Sequence, residues 1–181
     1  MATILHFTDD TKANELLGSD PLALLIGMLL DQQIPMEKAF MGPLLLAERL
    51  GSDLDASAIA TMDEEAIVEM FREKPALHRY PANMAKRTQA LCAYLVERYD
   101  GEAAAVWTGA ADSADLYKRI MDLPGFGEMK SRTLVAILGK RLGVAPAGWE
   151  EKAPKHMCLA DVESFEDIAR YREFKKAQKK K

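Results

Sequence analysis

Nine consecutive residues without a polar side chain, Leu22 to Leu30, stand between Pro21 and Asp31. Such a run is too short to cross a bilayer, which needs about 20 residues. It is also too uniformly apolar to lie on a surface. Ser19 or Asp20 is placed to cap a helix with Pro21 in its first turn, and Leu22, Leu25, Ile26, Leu29 and Leu30 recur at helical spacing up to Gln33. The chain must therefore build other elements around one central helix. It has the material: of 181 residues 49% are hydrophobic and 29% charged, with 11 Gly and 8 Pro, which excludes bulk disorder, collagen and repeat scaffolds. The length suits one compact unit or two small lobes sharing a cleft.

Those other elements also read as helix. After Thr3-Ile4-Leu5-His6-Phe7, a strand or an extended arm, helices are expected over Met36 to Leu50, Asp55 to Ala60, Asp63 to Glu73, Ala82 to Tyr99, Ser113 to Asp122 and Glu128 to Leu142. Pro43 is expected to interrupt the first of these and Gly51 to end it. Ile67, Val68 and Phe71 should face inward, and Asp100-Gly101 should close the long helix that begins after the loop at 76–81. The expected fold class is all-α. Residues 143–160, with Pro146, Gly148 and Pro154, form the one long irregular stretch, and such loops in compact domains tend to be functional.

Two cysteines, Cys92 and Cys158, cannot by themselves make a disulfide framework, a four-thiolate zinc site or an iron–sulfur cluster. Cys92 falls on an apolar helix face and reads as a buried thiol. His6, His78 and His156 have no metal-ligand spacing. The sequence shows no basic segment ahead of an apolar stretch near Met1, so a cytoplasmic protein is expected. The net charge of −4 hides an asymmetry: Arg170 to Lys181 carries seven basic residues and one acid, +6, leaving −10 on the first 169 residues. That lysine-rich end is either a solvated helix terminus or a phosphate contact.

The most informative residues are Leu123-Pro124-Gly125-Phe126-Gly127, between helices with apolar faces at Leu116, Ile120 and Met121 and at Leu134, Val135, Ile137 and Leu138. Pro-Gly favours a type II turn, and paired glycines permit close approach of backbone to another molecule. With the N-terminus of the next helix, the exposed amides make an anion site suited to phosphate, beside Lys130, Ser131 and Arg132. The bland alternative is a turn that merely joins two packed helices.

The stretch from Asp122 to Gly139, Asp-Leu-Pro-Gly-Phe-Gly-Glu-Met-Lys-Ser-Arg-Thr-Leu-Val-Ala-Ile-Leu-Gly, resembles the helix-hairpin-helix of the base-excision DNA glycosylase superfamily that includes endonuclease III. Asp20 to Gln33 resembles the family's early helix, which ends in a glutamine near the flipped nucleotide, and Ala85 to Leu91 resembles the helix after the DNA-wedging loop. The likeness covers roughly residues 20–142 and implies a single two-lobed unit over 1–181. Residues 20–120 would form the central lobe, and 1–19 with 121–181 the other, carrying the hairpin (113–142) and the basic C-terminal helix. The implied partner is double-stranded DNA with a damaged or mispaired base, met by a monomer that leaves the cytoplasm's solution phase for the nucleoid.

The resemblance also implies roles. Gly125 and Gly127 with Lys130 and Ser131 would grip phosphate; Gln33, Leu77, His78 and Tyr80 would wedge the duplex; Gln33 and Met129 would line the base pocket, and Trp149, by its aromatic face rather than by the resemblance, either stacks on the base there or packs its own loop. The hairpin would hold a sodium or potassium ion through the carbonyls of Met121, Leu123 and Phe126, and there would be no iron–sulfur cluster. Bifunctional members carry a Schiff-base lysine where this chain has Met129, and Lys130 should point about 100° away, so a monofunctional glycosylase is expected. The family's aspartate is missing at its usual spacing. Asp161, 32 positions after Met129, resembles it in local setting, which makes 143–160 an insertion; helix capping is the competing role. Glu150, Glu151 and Glu163 are weaker substitutes. A non-catalytic lesion-sensing module is the alternative function, and a protein-interaction module with a fortuitous turn a third.

Overall fold

The computed structural model describes residues 3–181, and among them all regular structure is helical. Ten α-helices follow in order: α1 (Thr11–Ser19), α2 (Pro21–Leu30), α3 (Met36–Leu50), α4 (Ala56–Thr61), α5 (Glu64–Arg72), α6 (Pro81–Tyr99), α7 (Ala105–Thr108), α8 (Ser113–Met121), α9 (Glu128–Ala136) and α10 (Phe165–Lys179). α1 and α3 pack on α2, α4 and α5 on α6, and α8 on α9. One cluster of buried apolar side chains runs from Leu5 to Tyr171.

α2 is the central helix that its composition demands, with every residue from Leu22 to Leu30 buried. Asp20 caps it, its carboxylate accepting from the Leu22 and Ala23 N–H groups. α2 ends at Leu30 rather than Gln33, because the backbone turns sharply and Gln33 takes a φ of +60°. α3 runs unbroken through Pro43, contrary to expectation. The missing N–H removes one helical bond, and close packing on α2 outweighs it. A Cβ on Gly27 would lie 2.6 Å from Phe40, and one on Gly42 would lie 2.5 Å from Leu30, so each helix offers a glycine to the other's large side chain.

α1 adds a helix ahead of the apolar run. Asp10 caps it, and the buried Asn14 accepts from the Phe7 and Thr8 N–H groups while its own amide donates to the Thr8 carbonyl. Residues 3–7 are thus an extended arm, tied down so that Leu5 and Phe7 are fully buried and Phe7 meets Phe40 at 4.8 Å. Elsewhere Gln89 ties α6 to the end of α4 by donating to the Ile59 and Met62 carbonyls. Among the described residues no single helix is long and apolar enough to cross a membrane.

The second hairpin helix changes pitch. α9 passes at Ile137 into a π-helical turn reaching Arg141, and the following 142–164 segment folds back over it through two short 3-10 turns, Trp149–Glu151 and Leu159–Asp161.

Candidate active site

Between α8 and α9 the chain makes the expected type II turn. The Phe126 N–H donates to the Leu123 carbonyl at 3.1 Å, and Gly125 has a φ of +86°. The two glycines differ in why they are there. A Cβ on Gly125 would lie 2.4 Å from Leu29 Cδ1, so this glycine seats the turn on α2. Gly127 caps α9 with a φ of −84°, and a Cβ there would meet nothing within 4 Å. No side chain caps α9 at its N-cap, so its first amides have no capping partner beside an open glycine, a condition that an anion site requires.

Two neighbours expected at that phosphate site are elsewhere. Ser131 is fully buried, its Oγ without a hydrogen-bond partner, so it packs inside α9's contact with the core rather than touching a ligand. Lys130 turns inward. Its Nζ donates to the Leu29 carbonyl at 3.2 Å and stands 5.9 Å from the centre of the Phe126 ring. Met129 is the exposed member of the pair, at 51%. The 100° offset between the two positions therefore aims Lys130 at α2.

Lys130 reaches a cavity of about 500 Å³ bounded by the ends of α2 and α10, the start of α9 and the 156–159 segment. Asp31, Met28, Met129, Cys158 and Tyr171 share its wall. Burial lowers the Lys130 ammonium from 10.5 to about 8, against the pull of Asp31. Burial raises the Asp31 carboxyl, against Lys175 and Lys130. Asp31 is absent from the sequence-based candidates; the available signal was its place as the first polar residue after the apolar run, where α2 hands it to the cavity.

Asp161 does not reach this cavity. Its Oδ1 accepts from Lys140 Nζ at 2.6 Å, and its Oδ2 accepts from the Cys158 N–H at 2.8 Å, closing a capping box on the 159–161 turn. Burial would raise this carboxyl, but the Lys140 and Cys158 bonds hold it below its ordinary value. The capping role, weighed against catalysis in the sequence, is the one this geometry fits. Trp149 does not reach the cavity either. Its indole lies on Gly139, where a Cβ would be 2.2 Å from Cδ2, so it fastens the 142–164 segment onto the π-helical turn.

The expected wedge residues divide by exposure. Leu77 and His78 are buried at 1% each. His78 is a strut: Nε2 pairs with the Gln32 carbonyl at 2.9 Å, and Nδ1 accepts from the Tyr80 N–H at 3.0 Å, which sets the tautomer. Burial lowers its pKa. Gln33 and Tyr80 are exposed and line one recess of about 330 Å³ with Arg87.

Met121 is exposed at the hairpin, while the Leu123 and Phe126 side chains are buried. The Leu123 carbonyl, engaged by the Phe126 N–H, keeps a second lone pair for the monovalent cation that the resemblance implies. Among the described residues no group of three His, Cys, Asp or Glu side chains is placed to hold a metal. Comparison with protein-family models, curated proteins and solved structures gave no match.

Proposed function

We propose that this chain is a base-excision DNA glycosylase of the helix-hairpin-helix kind, working at Asp31 and Lys130 rather than at Asp161. One observation carries the reading: a carboxylate and a primary amine of lowered basicity line one base-sized cavity directly behind an open Pro-Gly-x-Gly turn.

Each part has a task. The amides at Gly127 and the first turn of α9 hold a phosphate beside the damaged nucleotide. Gln33 and Tyr80 occupy the space that the base leaves as it swings into the cavity. Asp31, in its carboxylate form, would stabilise positive charge growing on the deoxyribose as the glycosidic bond stretches. The expectation of hydrolysis without strand cleavage rested on the missing amine at Met129, and Lys130 supplies one. Its neutral form attacks C1′, a carbon–nitrogen bond forms as the bond to the base breaks, and the electron pair and a proton leave with the base.

The test is incubation with duplexes carrying deaminated, alkylated or oxidised bases, followed by borohydride. Base release from at least one duplex and a covalent adduct lost in Lys130→Gln are expected. No abasic product from any duplex sinks the reading; release without an adduct returns water as the nucleophile. A DNA-binding module without chemistry is the second reading, favoured by the capture of Asp161 by Lys140, and it predicts binding without release.

A further inference from the structure

A second opening lies beside the cavity. It is a groove of about 610 Å³ between the 31–36 loop and α10. Arg79 enters it from one side, and Arg172, Lys175, Lys176 and Lys179 from the other; Asp31, at the inner end, is the one acid among its lining residues. In a chain of net charge −4 this is a concentrated cationic surface. The groove is continuous with the cavity, since Asp31, Tyr171, Lys175 and Lys179 line both.

Resting on the DNA reading above, we infer that the groove carries the phosphodiester backbone of one nucleic-acid strand to the cavity, with α10 as its basic wall. The spacing fits. From Arg172 to Lys179 the helix advances about 10 Å at about 1.5 Å per residue. One strand presents a phosphate about every 3.4 Å along the duplex, so about three face that wall. Arg172 is already paired with Glu37, which leaves the three lysines as the principal contacts.

Other polyanions fit less well. A membrane-surface helix needs an apolar face turned outward, whereas the buried Ile168 and Tyr171 turn the apolar side of α10 into the protein. A groove that ends on an amine and a carboxylate suits a chain whose backbone is anionic and whose reacting atoms hang from it, more than an acidic peptide. The opposite lip offers the exposed Gln33, a neutral amide that can meet phosphate or base edges.

The experiment is a salt titration of binding to a duplex containing a tetrahydrofuran abasic analogue, read by fluorescence anisotropy. It compares the native chain with Lys175→Gln/Lys176→Gln/Lys179→Gln, thermal melting confirming that the variant folds. The slope of log affinity against log salt should become shallower by about 2 to 3, at about 0.9 per lost phosphate contact, with affinity at low salt down about 10-fold or more. An unchanged slope and affinity, absence of DNA binding by the native chain, or equal competition by polyglutamate of matched charge would each overturn the inference. Loss of slope in a protein that releases no base from any duplex would sustain the groove and remove only the glycosylase.

Discussion

Lys130 Nζ donates to the carbonyl oxygen of Leu29, 101 residues earlier in the chain, at 3.2 Å. The contact joins the first turn of α9 to the last turn of α2 and places an amine beside Asp31. A lysine held there is less stable charged than in water, which is the condition for a nucleophilic amine near neutral pH.

That strain is measurable. With its folded pKa lowered to about 8, Lys130 binds its proton less tightly than in the unfolded chain. Native stability should therefore rise as pH climbs from about 8 towards the unfolded value of 10.5. Lys130→Met should stabilise the protein at pH 7 by about 2 kcal/mol, less at pH 10.5, while abolishing the borohydride adduct. Denaturant unfolding at the two pH values checks the first part, and adduct yield, which should grow through pH 8 in the native chain, checks the second.

Asp161→Asn should leave base release intact and cost about 1 kcal/mol at pH 7, through loss of the Lys140 pair and a weakened cap at Cys158. Because the folded pKa lies below the unfolded one, that stability is present above the unfolded pKa of 3.8 and disappears as pH falls through the folded value. Thermal melts of both proteins should converge in acid. An Asp161→Asn protein that folds normally but releases no base would restore the carboxylate to catalysis.

The two hairpin glycines should separate in their effects. Gly125→Ala meets Leu29 and a left-handed backbone at once, so it should lose about 2 kcal/mol or more. Gly127→Ser has room and supplies a capping hydroxyl to α9, so stability should hold or rise by a few tenths of a kcal/mol. The same hydroxyl would occupy the amides to which the proposed reading assigns phosphate, and on that reading DNA affinity should fall. Urea unfolding paired with anisotropy reads both quantities.

His78 should act as a pH-dependent strut. Its lowered pKa means the folded state binds fewer protons, so stability should decline as pH drops below the unfolded value of 6.5. His78→Phe should cost about 1–3 kcal/mol at pH 7, from the unpaired Gln32 carbonyl and Tyr80 N–H, and should flatten the decline. Denaturation midpoints between pH 5 and about 7.5 are the readout.

Trp149 and Gly139 should be strongly coupled. Gly139→Ala drives a methyl into the indole and should cost about 2 kcal/mol, most of which Trp149→Ala in the same chain should relieve. A double-mutant cycle with additive costs would place the tryptophan elsewhere.

Much of this architecture was legible in residue spacing, and the exceptions have physical causes. α2, α5 and α6 announce themselves by apolar period and by Asp20, Asp63 and Asp100 at their ends. α1 does not, because only Ala13, Asn14 and Leu17 face inward and one of the three is polar. Pro43 misleads because a helix loses one bond to proline but α2 and α3 gain contacts at Gly27 and Gly42, which only the pairing of helices reveals. The hairpin was legible down to its turn type, since Pro-Gly carries the backbone conformation with it. Asp31 and Lys130 were not brought together beforehand, because their meeting depends on where α2 stops and how α9 is rotated against it. Ser131 reads as surface by its hydroxyl, yet its small volume suits an interior helix contact.

Leu29 fills the volume that a side chain on Gly125 would need, so the turn is seated directly on the end of α2, two residues before Asp31. On the proposed reading, a duplex meeting both the turn and the cavity would itself supply the bending, and a lesion that has already softened the double helix would meet the smaller elastic penalty. Discrimination among bases would then start in the mechanics of the substrate, before any atom of the lesion is read.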